Sequence, residues 1–262
     1  NYFIYSINLL IPGICLMYSA WLRQRRHFFV LFLWIMMAAV IYTSLGFRYR
    51  LVLLFVPLVL HWFFVRRERP QFLLIALFLA GFLGLNGLIG AARTYNRGLD
   101  LSSVERKDFG SLIVSGFDEA IAVFSSSSGV ISIVPKDTPF VGARPLVSAL
   151  LFPMPRSLFV DKPDDSYRTL PLEILYGGDV FARGAFFMNY VEYYLMAGWP
   201  TLVGLSALLG WFLRRLWNWF LIRQYDPLAQ ALYLLSSSYL YVVISRGYLP
   251  QTIMLFVFTC LL

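Results

Sequence analysis

Cysteine and histidine are almost absent from this chain, with two of each in 262 residues. Cys15 and Cys260 both fall within apolar runs, so they offer neither a disulfide framework nor a metal site. A small buried apolar side chain is the reading for each. His27 stands beside an arginine turn and His61 inside an apolar run, and both are read as structural or interfacial. Charge is scarce as well: Asp, Glu, Lys and Arg make up 14% of the chain, against about a quarter in a soluble domain. No P-loop, GxSxG elbow, HExxH or cysteine pair occurs, which removes the familiar nucleotide-binding, serine-hydrolase and zinc-enzyme readings.

What is abundant is apolar surface. Hydrophobic residues reach 59%, aromatics 18% and the mean hydropathy is +0.69. A bilayer core takes about 20 apolar residues per helix, and seven runs compete for that role: Tyr2–Trp21, Phe28–Leu45, Leu51–Val65, Phe72–Ala92, Tyr193–Leu213, Leu228–Ile244 and Thr252–Leu262. The expected fold is all-α, a polytopic transmembrane helix bundle. The third run is short, and Arg50 and Arg66 are expected to snorkel outward from its ends. The net charge of +8 is not a nucleic-acid signal, because the basic residues cluster at the ends of the runs. RQRR, RRER and RRLWNWFLIR mark one side of the membrane and the lightly charged turns GFRYR and RGYLPQ the other. Basic turns face the cytoplasm, so every run alternates in direction without conflict. The chain begins at Asn1 and stops inside an apolar run, as an internal piece of a longer protein would.

Residues 93–192 form a segment on the outer face that is too long for a passive connection. It is expected to be a loop domain between residues 1–92, which carry four spans, and 193–262, which carry three. With ten basic and twelve acidic residues it is close to neutral. Ala120–Phe124 and Gly129–Val134, either side of the serines at 125–128, and Leu146–Pro153 read as helices lying on the membrane or over the bundle mouth. An ordinary folded cap is compatible with the same pattern. Pro153, Pro155, Pro163 and Pro171 are expected to interrupt helix formation and keep FPMPRSLFVDKPDD extended. Gly198-Trp199-Pro200 marks a kink where the fifth run enters the membrane.

Acid–base chemistry on the outer face would fall to carboxylates, since neither histidine is placed to reach it. Of Asp161, Asp164, Asp165, Glu173, Asp179 and Glu192, two stand out. Asp179 lies four residues before Arg183 in GGDVFARG, and Glu192 sits where the fifth run enters the bilayer. No paired DxD metal motif exists, so neither a metal ion nor a cofactor is expected. The outer face is also where arginines run against the orientation rule. An arginine is a planar fork of donors that fits phosphate oxygens in pairs, so an anionic, membrane-bound substrate explains them. Arg48, Arg50, Arg156, Lys162, Arg183 and Arg246 are the candidates for holding it. Lipid headgroup binding is the plainer reading for Arg48 and Arg50. Arg97, Arg144 and Arg168 are read as solvated or ion-paired. The runs themselves carry almost no charge, unlike ion-coupled transporters.

Three of these features together resemble the O-antigen polymerases, which join oligosaccharide repeat units in bacterial surface polysaccharide assembly. They are the turn Gly46-Phe47-Arg48, the segment GVISIVPKDTPFVGARPLVSALLFPMPRSLFVDKP with Pro155-Arg156 and Lys162-Pro163, and the glycine-rich stretch GGDVFARGAFFMNYVEYYLMAGWP. The likeness covers about two-thirds of the chain, from the second run through the sixth. It implies a glycosyltransferase of the bacterial inner membrane that moves a glycan chain from undecaprenyl pyrophosphate onto a new lipid-linked repeat unit. It implies pyrophosphate-holding roles for Arg48, Arg156 and Arg183, supported by Lys162 and Arg246. A chain-length regulator and a flippase are partners it leaves open. The chain departs from related patterns in spacing, since Arg168 precedes Gly177 and Gly178 by nine and ten residues rather than eleven. It also lacks the external histidine associated with ligases of the same broad class. A ligase, a lipid-glycan transporter and a non-catalytic scaffold stand as alternatives, separated by product identity, by polar residues deep in the bundle and by tolerance of arginine substitution.

Overall fold

The structure is a computed structural model. It describes residues 6–44, 48–66, 71–73, 75–77, 80, 81, 84, 87, 93, 94, 98, 99, 109–154, 166–177, 186–245 and 247–261. The described residues are helical, apart from a two-rung antiparallel ribbon that pairs β1 (Arg93–Thr94) with β2 (Gly98–Leu99). The helices fall into two compact units, one from Ser6–Ile121 with Arg223–Ser238 and the other from Ala122–Ile222 with Tyr239–Leu262.

In the first unit, α1 (Leu10–Gln24), α2 (Phe28–Ser44) and α3 (Arg48–Arg66) pack on one another pairwise. α1 buries Ile11, Ile14, Cys15, Ser19 and Leu22, the three- and four-residue spacing of one helix face. It ends where Arg25 turns left-handed at φ 54° and donates its N–H to the Trp21 carbonyl at 2.8 Å. α2 has no glycine, proline or charge to interrupt it, and is apolar all round. Only Leu31, Ala38 and Tyr42 are buried, Ile35, Ala39 and Ile41 are half-buried, and most of its other apolar side chains are exposed, up to 84% at Phe29. The Tyr42 hydroxyl donates to the Ile7 carbonyl at 2.9 Å, tying the end of α2 to the turn before α1.

α3 starts earlier than the apolar run foretells, and Arg50 does not snorkel outward. Its side chain is 1% exposed, with the guanidinium 5.8 Å from the rings of both Tyr42 and Tyr49. Aromatic faces close at hand make the inward rotamer favourable. Arg66, at the other end, is exposed as expected. Pro57 is accommodated inside α3. His61 is buried, its ring edge-on to Tyr18.

The second unit contains the C-terminal part of α4 (Phe109–Ile133), then α5 (Arg144–Leu151), α6 (Ser166–Tyr176), α7 (Asn189–Ala197), α8 (Trp199–Ile222), the C-terminal part of α9 (Pro227–Ser245) and α10 (Leu249–Phe256). A short π-helical turn, Val257–Leu261, follows α10. The core is Val130, Val134, Leu172, Phe187, Val191, Tyr194 and Leu195. Three expectations are corrected here. The serines at 125–128 do not separate two helices. Ser126 and Ser127 donate back to the Ala122 and Val123 carbonyls four residues earlier, so their hydroxyls are satisfied within one continuous α4. Pro171 lies inside α6 rather than ending it. It forfeits one backbone bond, and its buried ring gains packing in return. The arginine turn expected at Arg214–Arg223 is helical as far as Ile222, because no glycine or proline occurs between Gly210 and Pro227. The helix break comes at Arg223–Asp226. There the Asp226 side chain accepts the Leu228 N–H at 3.1 Å and Pro227 takes the first helical position of α9.

The kink expected ahead of α8 is present. Gly198 separates α7 from α8 with φ 79° and ψ −147°, a region open to glycine almost alone. A Cβ there would also meet the Phe140 ring at 3.1 Å. Gly198→Ala is expected to lower unfolding stability by about 1–3 kcal/mol. Thermal denaturation of the detergent-solubilised protein measures this, and an unchanged midpoint would contradict the strain.

Candidate functional site

Glu192 is the one expected catalytic residue that the described part of the structure contains. It lies in the first turn of α7 and is 0% exposed. One carboxyl oxygen, Oε1, accepts the Tyr167 hydroxyl of α6 at 2.8 Å. The other, Oε2, accepts the backbone N–H of Leu249, the first residue of α10, at 2.8 Å. The start of a helix leaves its early N–H groups without intrahelical acceptors. In α10, Pro250 contributes no N–H at the second position and Glu192 takes the N–H at the first. One carboxyl group thus joins α6, α7 and α10.

The segment before α7 and the segment before α10 meet directly. Gly247 donates its N–H to the Phe187 carbonyl at 2.8 Å. The approach is so close that a Cβ on Gly247 would lie 2.7 Å from Phe187 Cδ2 and 2.8 Å from the carbonyl oxygens of Phe187 and Met188. The Met188 N–H in turn donates to Ser127 Oγ at 2.9 Å, which fastens this segment to α4. Beside Gly247, the Tyr248 ring lies 4.4 Å under the Arg168 guanidinium and edge-on to Phe152 at 6.2 Å. Next to Glu192, Asn189 donates to the Tyr193 hydroxyl at 2.8 Å. Among the described residues, the arrangement is a hydrogen-bonded junction with the Arg168 cation stacked beside it.

Compared with known protein families, curated proteins and solved structures, the chain matches none.

The other expected site residues divide as follows. Arg50 is buried in the first unit. Arg48 opens α3, and its side chain lies outside the description. Arg156, Lys162, Asp179, Arg183 and Arg246 lie outside the described residues, as do Asp161, Asp164 and Asp165. Glu173 and Arg144 are exposed. Arg168, read from sequence as solvated or ion-paired, is half-buried, with its guanidinium stacked on Tyr248. Among the described residues, no three His, Cys, Asp or Glu side chains gather into a metal-binding group. Sequence reasoning missed Tyr167, Tyr248 and the role of Gly247. Gly247 alone carried a signal, as a glycine beside a candidate arginine.

Proposed function

We propose that this protein is a membrane-embedded glycan polymerase. It transfers an undecaprenyl-pyrophosphate-linked oligosaccharide chain onto a new lipid-linked repeat unit at the outer face of the bacterial inner membrane. Among the described residues, two helices, Tyr49–Arg66 and Pro227–Ser245, are long and apolar enough to cross a membrane, at about 1.5 Å of rise per residue. Large apolar side chains exposed along α2 and α8, such as Leu33, Val40, Val203 and Trp211, exceed what water-facing helices present and suit lipid contact. The multi-pass arrangement with residues 93–192 as an outer loop domain belongs to this proposal.

The observation that carries the reading is the lock between Phe187–Glu192 and Gly247–Leu249. A lipid-linked pyrophosphate can be held by cations drawn from parts of the chain far apart in sequence. Arg183 stands shortly before the first locked segment in sequence, and Arg246 immediately before the second. In the proposed reaction a hydroxyl of the new repeat unit attacks the anomeric carbon of the donor sugar. The bond from that carbon to the pyrophosphate oxygen breaks, and undecaprenyl pyrophosphate leaves with the bonding electron pair. Arg156 and Arg183, with Arg48, Lys162 and Arg246, stabilise the charge that builds on the leaving group. Asp179 takes the acceptor proton. Both oxygens of Glu192 already serve internal donors, so its proposed role is to position the two segments.

The test uses the protein in lipid with an undecaprenyl-pyrophosphate-linked repeat unit, and separates the lipid-linked products on a gel. A ladder is expected from the wild type, and its loss from a folded Arg156→Ala variant. A ladder unchanged in that variant removes Arg156 from the site. No ladder with substrate bound would redirect the reading to a ligase or a transporter.

A further inference from the structure

We propose that the end of the first unit where α1 and α3 stop and α2 begins binds the phosphate of an anionic membrane lipid. Trp21 and Trp62 stack there, with ring centroids 6.1 Å apart and planes 18° from parallel. The Arg66 guanidinium lies 3.9 Å over Trp62, and that of Arg25 lies 5.1 Å over Trp21 and 6.0 Å from Trp62. Two stacked indoles therefore carry two exposed cations. The left-handed turn at Arg25, closed by its N–H bond to Trp21, fixes the backbone beneath one of them.

This geometry favours an anion for a specific reason. A guanidinium held over a ring uses its flat face, while its five N–H donors radiate in its plane and still fit phosphate oxygens in pairs. Arg23 and Arg26 add charge on the same turn. From Ser6 to Arg66 there is no Asp or Glu, so the helical trio supplies no carboxylate of its own. Glu68, two residues after Arg66, is the one carboxylate of these two turns against their six arginines, so most of the complement has to come from outside them. The adjoining start of α2 points to the source. Phe28 touches Trp21 with ring centroids 5.6 Å apart, and Phe28, Phe29, Phe32 and Leu33 are all exposed. A phospholipid satisfies both parts, its phosphate on the arginine forks and its acyl chains on α2. A soluble phosphate would leave the apolar part uncovered. Tryptophan at this level suits the boundary between headgroups and chains. The proposal rests on contact with a membrane and not on the glycan chemistry.

The test uses the full chain in a neutral detergent, with lipid retention read by native mass spectrometry. Dioleoyl phosphatidylglycerol is expected to be retained over dioleoyl phosphatidylcholine. Arg25→Gln with Arg66→Gln is expected to weaken that retention about tenfold, while Arg214→Gln with Arg215→Gln on α8 leaves it unchanged. Equal retention in the Arg25/Arg66 variant would overturn the proposal. So would full recovery by lysine at both positions, which would mean general charge attraction. Competition by glycerol phosphate at the same concentrations as the lipid would also overturn it, by showing a soluble-anion site.

Discussion

Gly247→Ala is expected to destabilise the protein by about 3 kcal/mol or more, combining overpacking of a tight contact with loss of buried hydrogen bonds. The added methyl would sit 2.7 Å from Phe187 Cδ2 and 2.8 Å from two backbone carbonyl oxygens. Turning the Phe187 ring relieves only the first of these, and that ring is itself buried in the core. Relief from the carbonyls requires the two backbones to part. That movement breaks the bond from Gly247 N–H to the Phe187 carbonyl, and pulls on the Leu249–Glu192 bond two residues along. Tyr248 sits between them, so its stacking with Arg168 is disturbed as well. Two measurements check this: a denaturation midpoint, and hydrogen exchange at the Gly247 and Leu249 amides. An alanine variant with wild-type midpoint and wild-type protection at both amides would show that the close approach does not exist in solution. If the polymerase reading is right, the same variant should also lose long glycan products while remaining in the membrane.

The difference between what the sequence made legible and what it did not follows the range of the interactions. α1, α2, α3 and α9 are each governed by a continuous apolar run, which is visible in the sequence itself. The break at Gly198 was legible for the same reason. Failures came where a local signal had a local remedy that composition does not reveal. The serines at 125–128 look like an interruption until their hydroxyls are seen bonding the preceding turn. Arg50 sits at a span end and should reach outward, but Tyr42 and Tyr49 offer it an inner surface. The junction itself was beyond local reading. Glu192 meets Tyr167 across 25 positions and Leu249 across 57, and no periodicity in one sequence encodes such a pairing. Glu192 stands out in the sequence for its place at the start of the expected fifth run, a position that does not distinguish a reacting carboxyl from a fastening one.

That distinction is what substitution of Glu192 resolves. Glu192→Leu is expected to cost about 4 kcal/mol, since it takes the acceptor from one buried and one half-buried donor at roughly 1–3 kcal/mol each. One of them is the leading N–H of α10, which the helix cannot satisfy internally. Glu192→Gln should be far milder. Its amide oxygen can accept the Leu249 N–H while its NH2 donates to the Tyr167 oxygen, because a tyrosine hydroxyl can accept as well as donate. The double variant Glu192→Leu with Tyr167→Phe should lose less than the sum of the two single variants, as coupled partners do. Activity then separates the roles. If Glu192 positions the segments around Phe187 and Gly247, the glutamine variant keeps both its denaturation midpoint and its ladder of glycan products. A glutamine variant that is as stable as the wild type yet yields no ladder would instead make Glu192 the proton acceptor, and the bonds from Tyr167 and Leu249 would then serve to aim it.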